Sequence, residues 1–213
     1  TGGHVNEYLN LLASQGNQLM AQTLESYPGV ATVQLPDRAV RPEVVRELVK
    51  ACRAGGSLKI LYASMSTPVA HERVISPHAL VYTGFRWHVR AWCHKRQSYR
   101  DFLLSRIEET PTPCDDSVPS ASNDSLWHEQ ITLTLIPNQL LNDAQKGLVE
   151  RDFAMLAGRL QLTVRKALAH YTLQRYQAAI TEAEALRVSE HPLQLSPTDL
   201  GKLEPFLFGG GGS

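Results

Sequence analysis

Between Leu58 and Ile107, apolar and polar residues alternate with a period of two. That is the signature of strands with one buried face. Leu58, Ile60 and Tyr62 form a first strand, and a polar bend follows at residues 63–72. Three further strands are expected at residues 73–82, 85–93 and 99–107, separated by a Thr83-Gly84 turn and a polar turn at 94–98. The pattern predicts a four-stranded antiparallel meander. A sheet this short curls so as to bury one face and remove its edges.

Helical periods flank the meander. Val5, Tyr8, Leu9, Leu12, Leu19 and Met20 fall on one stripe, interrupted by Gly16. This is either a packing helix or the tail of a linker from a preceding domain. Residues 27–41 carry two prolines and no period, as an extended connector does. Pro42 is placed to open a helix at its first turn. Val45, Leu48, Val49 and Cys52 give that helix an apolar face, and Gly55-Gly56 ends it.

Residues 108–125 read as an acidic, Pro- and Ser-rich linker. Beyond it Ile131, Leu133 and Leu135 alternate as a strand closed by Pro137. Asn142 caps a helix to about Asp152. Leu160, Leu162 and Val164 form a second strand, and a longer helix from about Lys166 to Ala185 is the last regular element expected. The fold class is therefore α+β, a small sheet domain with flanking helices followed by a small α/β domain of βαβα order. The expected division is 1–41 helical linker and connector, 42–107 sheet domain, 108–125 linker, 126–208 second domain, and 209–213 an appended GGGGS linker.

Composition narrows the function classes. The chain has 213 residues, is 43% hydrophobic and carries no net charge. That is a globular composition rather than a disordered one, and its total charge is not that of a wholesale basic nucleic-acid binder. No apolar run is long enough to span a bilayer, so no membrane partner is expected. The opening Thr-Gly-Gly-His lacks an initiator Met and a signal-peptide pattern, and reads as the middle of a longer chain. Cys52, Cys93 and Cys114 are odd in number and have no CxxC spacing. They read as reduced thiols of a cytoplasmic protein, with no disulfide framework, zinc site or other cofactor.

The neutral total hides a basic module. Residues 57–107 hold eight Lys or Arg against Glu72 and Asp101, a net of +6 in a neutral chain, together with His71, His78, His88 and His94. Strand parity places Phe85, Trp87, Val89, Ala91 and Cys93 on one face and Arg86, His88, Arg90 and Trp92 on the other. Cys93 is thereby assigned to the core. Arg100 and Arg106, six residues apart, are expected to point the same way. Two readings follow. One is a solvated polar face. The other is a site for a planar or phosphorylated anion, with stacking on Trp92 or Tyr99, and it requires Arg73, Arg90 and Arg106 to converge. An Arg–phosphate contact is worth about 4 kcal/mol of Coulomb energy at intermediate dielectric, before desolvation. An enzymatic reading would take Ser64, Ser66, His78 and His88 as nucleophile and base. Against it, Glu72 and Asp101 are isolated and no metal-ligand spacing occurs, so the chain reads as a non-enzyme.

The strings Arg73-Val-Ile-Ser-Pro-His78, Gly84-Phe-Arg-Trp-His-Val-Arg-Ala-Trp-Cys93 and Tyr99-Arg-Asp-Phe-Leu-Leu-Ser-Arg-Ile107 resemble the WYL domain, the sensor module of bacterial transcriptional regulators. Trp87-His88-Val89 stands where the naming Trp-Tyr-Leu triplet does. The variant is most similar to repressors found at phage-defence islands, beside BREX or CBASS systems. The resemblance implies an SH3/Sm-like β-barrel for the first domain and a C-terminal extension domain for the second. It implies a homodimer, and operator DNA bound through a winged helix-turn-helix ahead of residue 1. The effector it implies is anionic: single-stranded nucleic acid, an oligonucleotide or a nucleotide. The implied ligand-binding residues are Tyr62, Ser64, Ser66, Arg73, His78, His88, Arg90 and Arg106, with Arg100 also a candidate. His88 in place of the family's tyrosine suggests an affinity that changes near pH 6.5. His128 and His170 read as surface or capping residues, Tyr171 and Tyr176 as packing residues. Arg165, Lys166 and Arg175 belong either to a solvated helix face or to a dimer groove.

Overall fold

The computed structural model of the protein describes residues 40–84 and 86–207. The helix expected at 5–24 and the connector up to residue 39 lie outside the described residues. The chain divides between Pro119 and Ser120 into two compact units.

The first unit opens with α1 (Pro42–Ala54), which buries Val44, Val45, Leu48 and Ala51. Pro42 sits where a missing N–H costs nothing. Gly55 adopts φ +67° and donates its N–H to the Ala51 carbonyl, a left-handed stop that a side chain would strain. α1 packs across β1 (Ser57–Tyr62) and β2 (His71–Tyr82). β3 (Trp87–Cys93), β4 (Ser98–Leu103) and β5 (Thr112–Cys114) complete a five-stranded antiparallel sheet in the order β4-β3-β2-β1-β5. Leu58, Ile60, Ile75, Val89, Ala91, Cys93 and Phe102 join the α1 residues in one core. Cys93 is fully buried there, as parity required.

Two expectations change. The stretch expected to be linker contributes β5, with Thr112 opposite Lys59 and Cys114 opposite Ser57. Pro113 is tolerated because an edge strand need not donate on its outer side. A strand of three residues with no apolar alternation leaves no periodic trace. The strand expected to run to Ile107 stops at Leu103, where residues Leu104–Arg106 form a 3-10 turn. That turn carries the chain across to β1, where Ile107 bridges Tyr62 and Ala63 N–H donates to the Arg106 carbonyl at 3.3 Å. Among the described residues no ladder joins β4 to β5, so the sheet curls without closing into a barrel.

The second unit contains α2 (Ser125–His128), β6 (Gln130–Pro137), α3 (Asp143–Asp152), β7 (Leu160–Arg165), α4 (Ala169–Arg175), β8 (Ala178–Ala179), α5 (Glu182–Ala185), β9 (Leu193–Leu195) and α6 (Pro197–Leu207). Its sheet order is β7-β6-β9-β8, antiparallel except for the β8–β9 pair. Leu133, Leu135, Leu173, Leu193 and Leu203 fill the core. The opening strand, helix and strand are as expected, and Asn142 caps α3 through a capping box with Gln145. The long helix expected to reach Ala185 is instead broken. Gln177 takes φ +51° after α4, β8 follows, and a Thr181–Glu184 capping box starts α5 afresh. β9 and α6 lie beyond the last element expected. Their attachment is polar. Asn138 is fully buried and donates from Nδ2 to the carbonyls of Ala185 and His191, each at 2.9 Å. Asp199 at the start of α6 accepts from Thr134 N–H at 2.9 Å. Burial pushes that carboxyl up, but the bonds from Thr134 and Lys202 outweigh it and hold it below its ordinary pKa.

Among the described residues no helix is long and apolar enough to cross a membrane. The three cysteines are free, and burial pushes the Cys52 thiol up to about 11, which keeps it protonated at neutral pH.

Candidate anion-binding site

The strand register sorts the cationic side chains. Ile60 stands opposite Arg73, and Leu58 opposite Ile75. Ile75 in turn stands opposite Cys93. Arg73 therefore shares the core face of the sheet. Arg90 lies on the reverse face, opposite Ala79 and Asp101, and His88 is on that face too. The convergence of Arg73 with Arg90 expected from the sequence does not occur. Each strand's parity was legible, but the register between strands was not.

Tyr62 and Arg73 form the centre of the site. Tyr62 packs edge-on against Phe102 with ring centroids 5.1 Å apart, and its hydroxyl accepts the Leu103 N–H at 3.2 Å. The ring is thus held from both sides of the curl. The Arg73 guanidinium lies over it, 5.9 Å from the centroid. Arg73 is only 6% exposed, and its Nε is buried without a hydrogen bond. Among the described residues it has no acidic partner. Burying a guanidinium against a single ring face leaves most of its desolvation uncompensated.

The 3-10 turn brings Arg106 to the same end of β1, through the backbone bond to Ala63. Its charge reaches His88, as does that of Arg86. Burial first, then Arg86 and Arg106, push the His88 pKa down to about 4. The expected titration near pH 6.5 is therefore overturned: at neutral pH His88 is an uncharged imidazole beside two guanidinium groups. Arg86, absent from the sequence-derived set, belongs with this group; its place two residues before His88, on the same face by parity, was the available signal.

Ser64 is buried, two residues past Tyr62. Its hydroxyl lies 2.6 Å from Thr67 Oγ1 and 3.2 Å from Ser66 Oγ, and accepts the Thr67 N–H at 3.1 Å. The hydroxyl is spent within its own turn, while Ser66 is exposed. Tyr62, Ser64 and Arg73, with the 3-10 turn that carries Arg106, thus lie at the end of β1, whereas His88 sits on the reverse face of the sheet within reach of the Arg86 and Arg106 charges.

Three sequence-derived residues stand apart. Arg90 donates from Nη1 to Asp101 Oδ1 at 3.2 Å, so Asp101 is not isolated but is Arg90's own counter-charge. Arg100 stands opposite Ala91 on the core-face side of edge strand β4, and the 3-10 turn breaks its expected parity with Arg106. His78 occupies the bulge between Pro77 and Ala79 and packs edge-on against Tyr99, itself 5.0 Å from Trp92. Nearby, Ser57 Oγ, Ser76 Oγ and His94 Nε2 form a chain at 2.8 and 2.7 Å, which strand parity alone does not reveal. Among the described residues no group of three or more His, Cys, Asp or Glu could hold a metal ion.

In the second unit Arg165 donates to the Trp127 carbonyl at 2.6 Å and lies over its ring, and Lys166 pairs with Glu129. Both cations are committed within their own unit. His128 Nε2 lies 3.0 Å from the Ala121 carbonyl oxygen, and Tyr176 packs near Phe153. His170 is not a simple surface residue: its Nε2 lies 2.9 Å from Gln174 Nε2, its Nδ1 is buried without a hydrogen bond, and it lines a cavity of about 410 Å³ with Leu173 and His191.

Comparison with known proteins agrees with this division. Residues 43–111 match the WYL domain, and residues 130–200 match the C-terminal dimerization domain of the BrxR transcriptional regulator. The chain carries a WYL domain. The DNA-binding transcriptional repressor CapW of Escherichia coli strain KTE188 is 41% identical over 167 residues, covering 78% of this chain and 54% of that protein. CapW of Stenotrophomonas maltophilia is 36% identical with the same coverage. CapW of Pseudomonas aeruginosa is 38% identical over 156 residues, 73% of this chain and 51% of that one. The chain spans about half the length of the curated relatives it matches. Tyr62, Ser64, Arg73, His88 and Arg106 all fall inside the WYL domain.

Proposed function

We propose that this chain is the sensing and dimerization portion of a transcriptional repressor of the kind that guards phage-defence loci. In this reading the WYL domain works as an open SH3/Sm-like barrel. Its ligand is a phosphate-bearing, nucleic-acid-like anion: single-stranded nucleic acid, an oligonucleotide or a nucleotide. Arg73 and Arg106 supply the charge and Tyr62 the aromatic support. Ligand occupancy then shifts the homodimer between states that differ in operator binding by a winged helix-turn-helix of the parent protein. Such a shift requires unequal affinity for the two states. The role is regulatory rather than catalytic, and the setting is the cytoplasm.

The observation that carries this reading is Arg73, a guanidinium 6% exposed, with an unbonded Nε, a tyrosine ring beneath it and no acidic partner among the described residues. A buried charge kept without a counter-ion is costly to the folded state, and an anion that binds there repays that cost. A thermal-shift series with a single-stranded oligonucleotide, a mononucleotide and inorganic phosphate tests it. The expected result is a rise in melting temperature with at least the oligonucleotide, growing with its concentration. Flat melting curves with all three would leave a dimerization scaffold without a ligand.

A further inference from the structure

Among the described residues the second unit leaves one edge of its sheet without a partner strand. There β7 pairs only with β6, and Leu162 and Leu160 stand opposite Leu133 and Leu135. Leu133 and Leu135 are fully buried, whereas Leu160, Leu162 and Val164 only partly cover the same core. The core is thus finished on the β6 side and unfinished on the β7 side. Lys166 N–H donates to the Glu129 carbonyl at 2.9 Å, which fixes the phase of the ladder. In an antiparallel pair hydrogen-bonded positions alternate. The main-chain groups of Leu160, Leu162 and Val164 therefore face β6, and those of Gln161 and Thr163 face outward.

Exposed edges are ordinarily guarded by proline, lysine, a bulge or a covering loop. β7 has no Pro or Lys, and its register with β6 runs without a shift. The one cation, Arg165, is folded back onto Trp127. Resting on the dimerization reading above, we infer that β7 is the dimer contact, and that it pairs antiparallel with β7 of a second copy about a two-fold axis at Leu162. In this register Leu162 meets the partner's Leu162, Leu160 meets the partner's Val164, and Gln161 meets the partner's Thr163. Outward main-chain groups then face outward main-chain groups, and the apolar side chains of both copies stay on the helix-covered face. The contact is self-complementary, as a two-fold interface must be. It continues each four-stranded sheet into its neighbour and finishes both cores.

The register gives a test in the full chain. At a non-hydrogen-bonded antiparallel position the two Cα atoms lie about 4.5 Å apart, within disulfide range. L162C should therefore form an intermolecular disulfide on mild oxidation, with the wild type, whose own cysteines remain, as the blank. Thr163→Pro removes an outward N–H that the β6 ladder does not use, so the subunit should keep its cooperative unfolding yet sediment as a monomer. A wild-type chain that sediments as a monomer would overturn the dimerization reading itself. A wild-type dimer whose L162C variant fails to cross-link would leave that reading standing and overturn the edge. If Thr163→Pro fails to fold, the cross-link alone decides.

Discussion

Arg90 and Asp101 face each other across β3 and β4, 3.2 Å apart, with side chains 3% and 6% exposed. The pair sits on the sheet face opposite Arg73. It turns what looks in sequence like a ligand-binding cation into a structural one. Removing one member of a buried pair leaves the other charged in a dry site, at a cost of about 3–5 kcal/mol. Asp101→Asn and Arg90→Ala are each expected to lower the free energy of unfolding by that amount, and the urea midpoint with it. Arg90→Met combined with Asp101→Leu should recover most of the loss. Urea titrations of the three variants check this; additive losses in the double variant would show that the two side chains are not coupled.

His88 makes stability fall with acid. Its folded pKa of about 4 lies below the ordinary 6.5, so the folded state resists the proton that the unfolded chain accepts. The stabilisation is fully present above pH 6.5 and is lost as pH falls toward 4. The full span is on the order of 3 kcal/mol, at about 1.4 kcal/mol per unit of pH. His170, also lowered by burial, acts in the same direction. Melting temperatures between pH 7 and 5 should decline in the wild type and decline less in His88→Gln. Parallel declines would place the acid sensitivity elsewhere.

Asn138 ties the end of β6 to the segment between α5 and β9. Besides its two donated bonds, its Oδ1 accepts the Leu140 N–H at 3.0 Å. Truncation would strand two carbonyls and an N–H around a site that is fully buried. Asn138→Ala is expected to cost about 2–4 kcal/mol, since each buried unsatisfied group costs about 1–3 kcal/mol and water entering the gap relieves part of it. Equilibrium unfolding of that variant measures it. Hydrogen exchange should show the loss first at the amides of β9.

The fold was legible where a single period governs a whole element. The α1 stripe from Val45 to Cys52, its Gly55 stop, and the alternation through β1 to β4 follow directly from residue order. The second unit was legible as far as β7. It then passes to short elements, α4 through β9, whose limits are set by single polar contacts such as Asn138 and Asp199 and not by any apolar period. The site was half legible. Residue type drew attention to Arg73, His88 and Arg106. The register between strands, the 3-10 turn at Leu104–Arg106 and the Asp101 counter-charge decide which of the cations belong together. None of these is a property of one strand alone.

The WYL site depends on Arg73 having been kept for a ligand and not for the fold. The direct measurement is fluorescence anisotropy of a labelled single-stranded oligonucleotide, titrated with the wild type and with Arg73→Met at several salt concentrations, alongside the melting temperature of each protein. Replacing an unpaired buried charge with an apolar chain of similar length should leave melting unchanged or slightly raised. It should also weaken binding and reduce the slope of log affinity against log salt by about one. An Arg73→Met variant that binds as tightly as the wild type with the same salt slope, or that binds normally but no longer folds stably, would contradict the assignment.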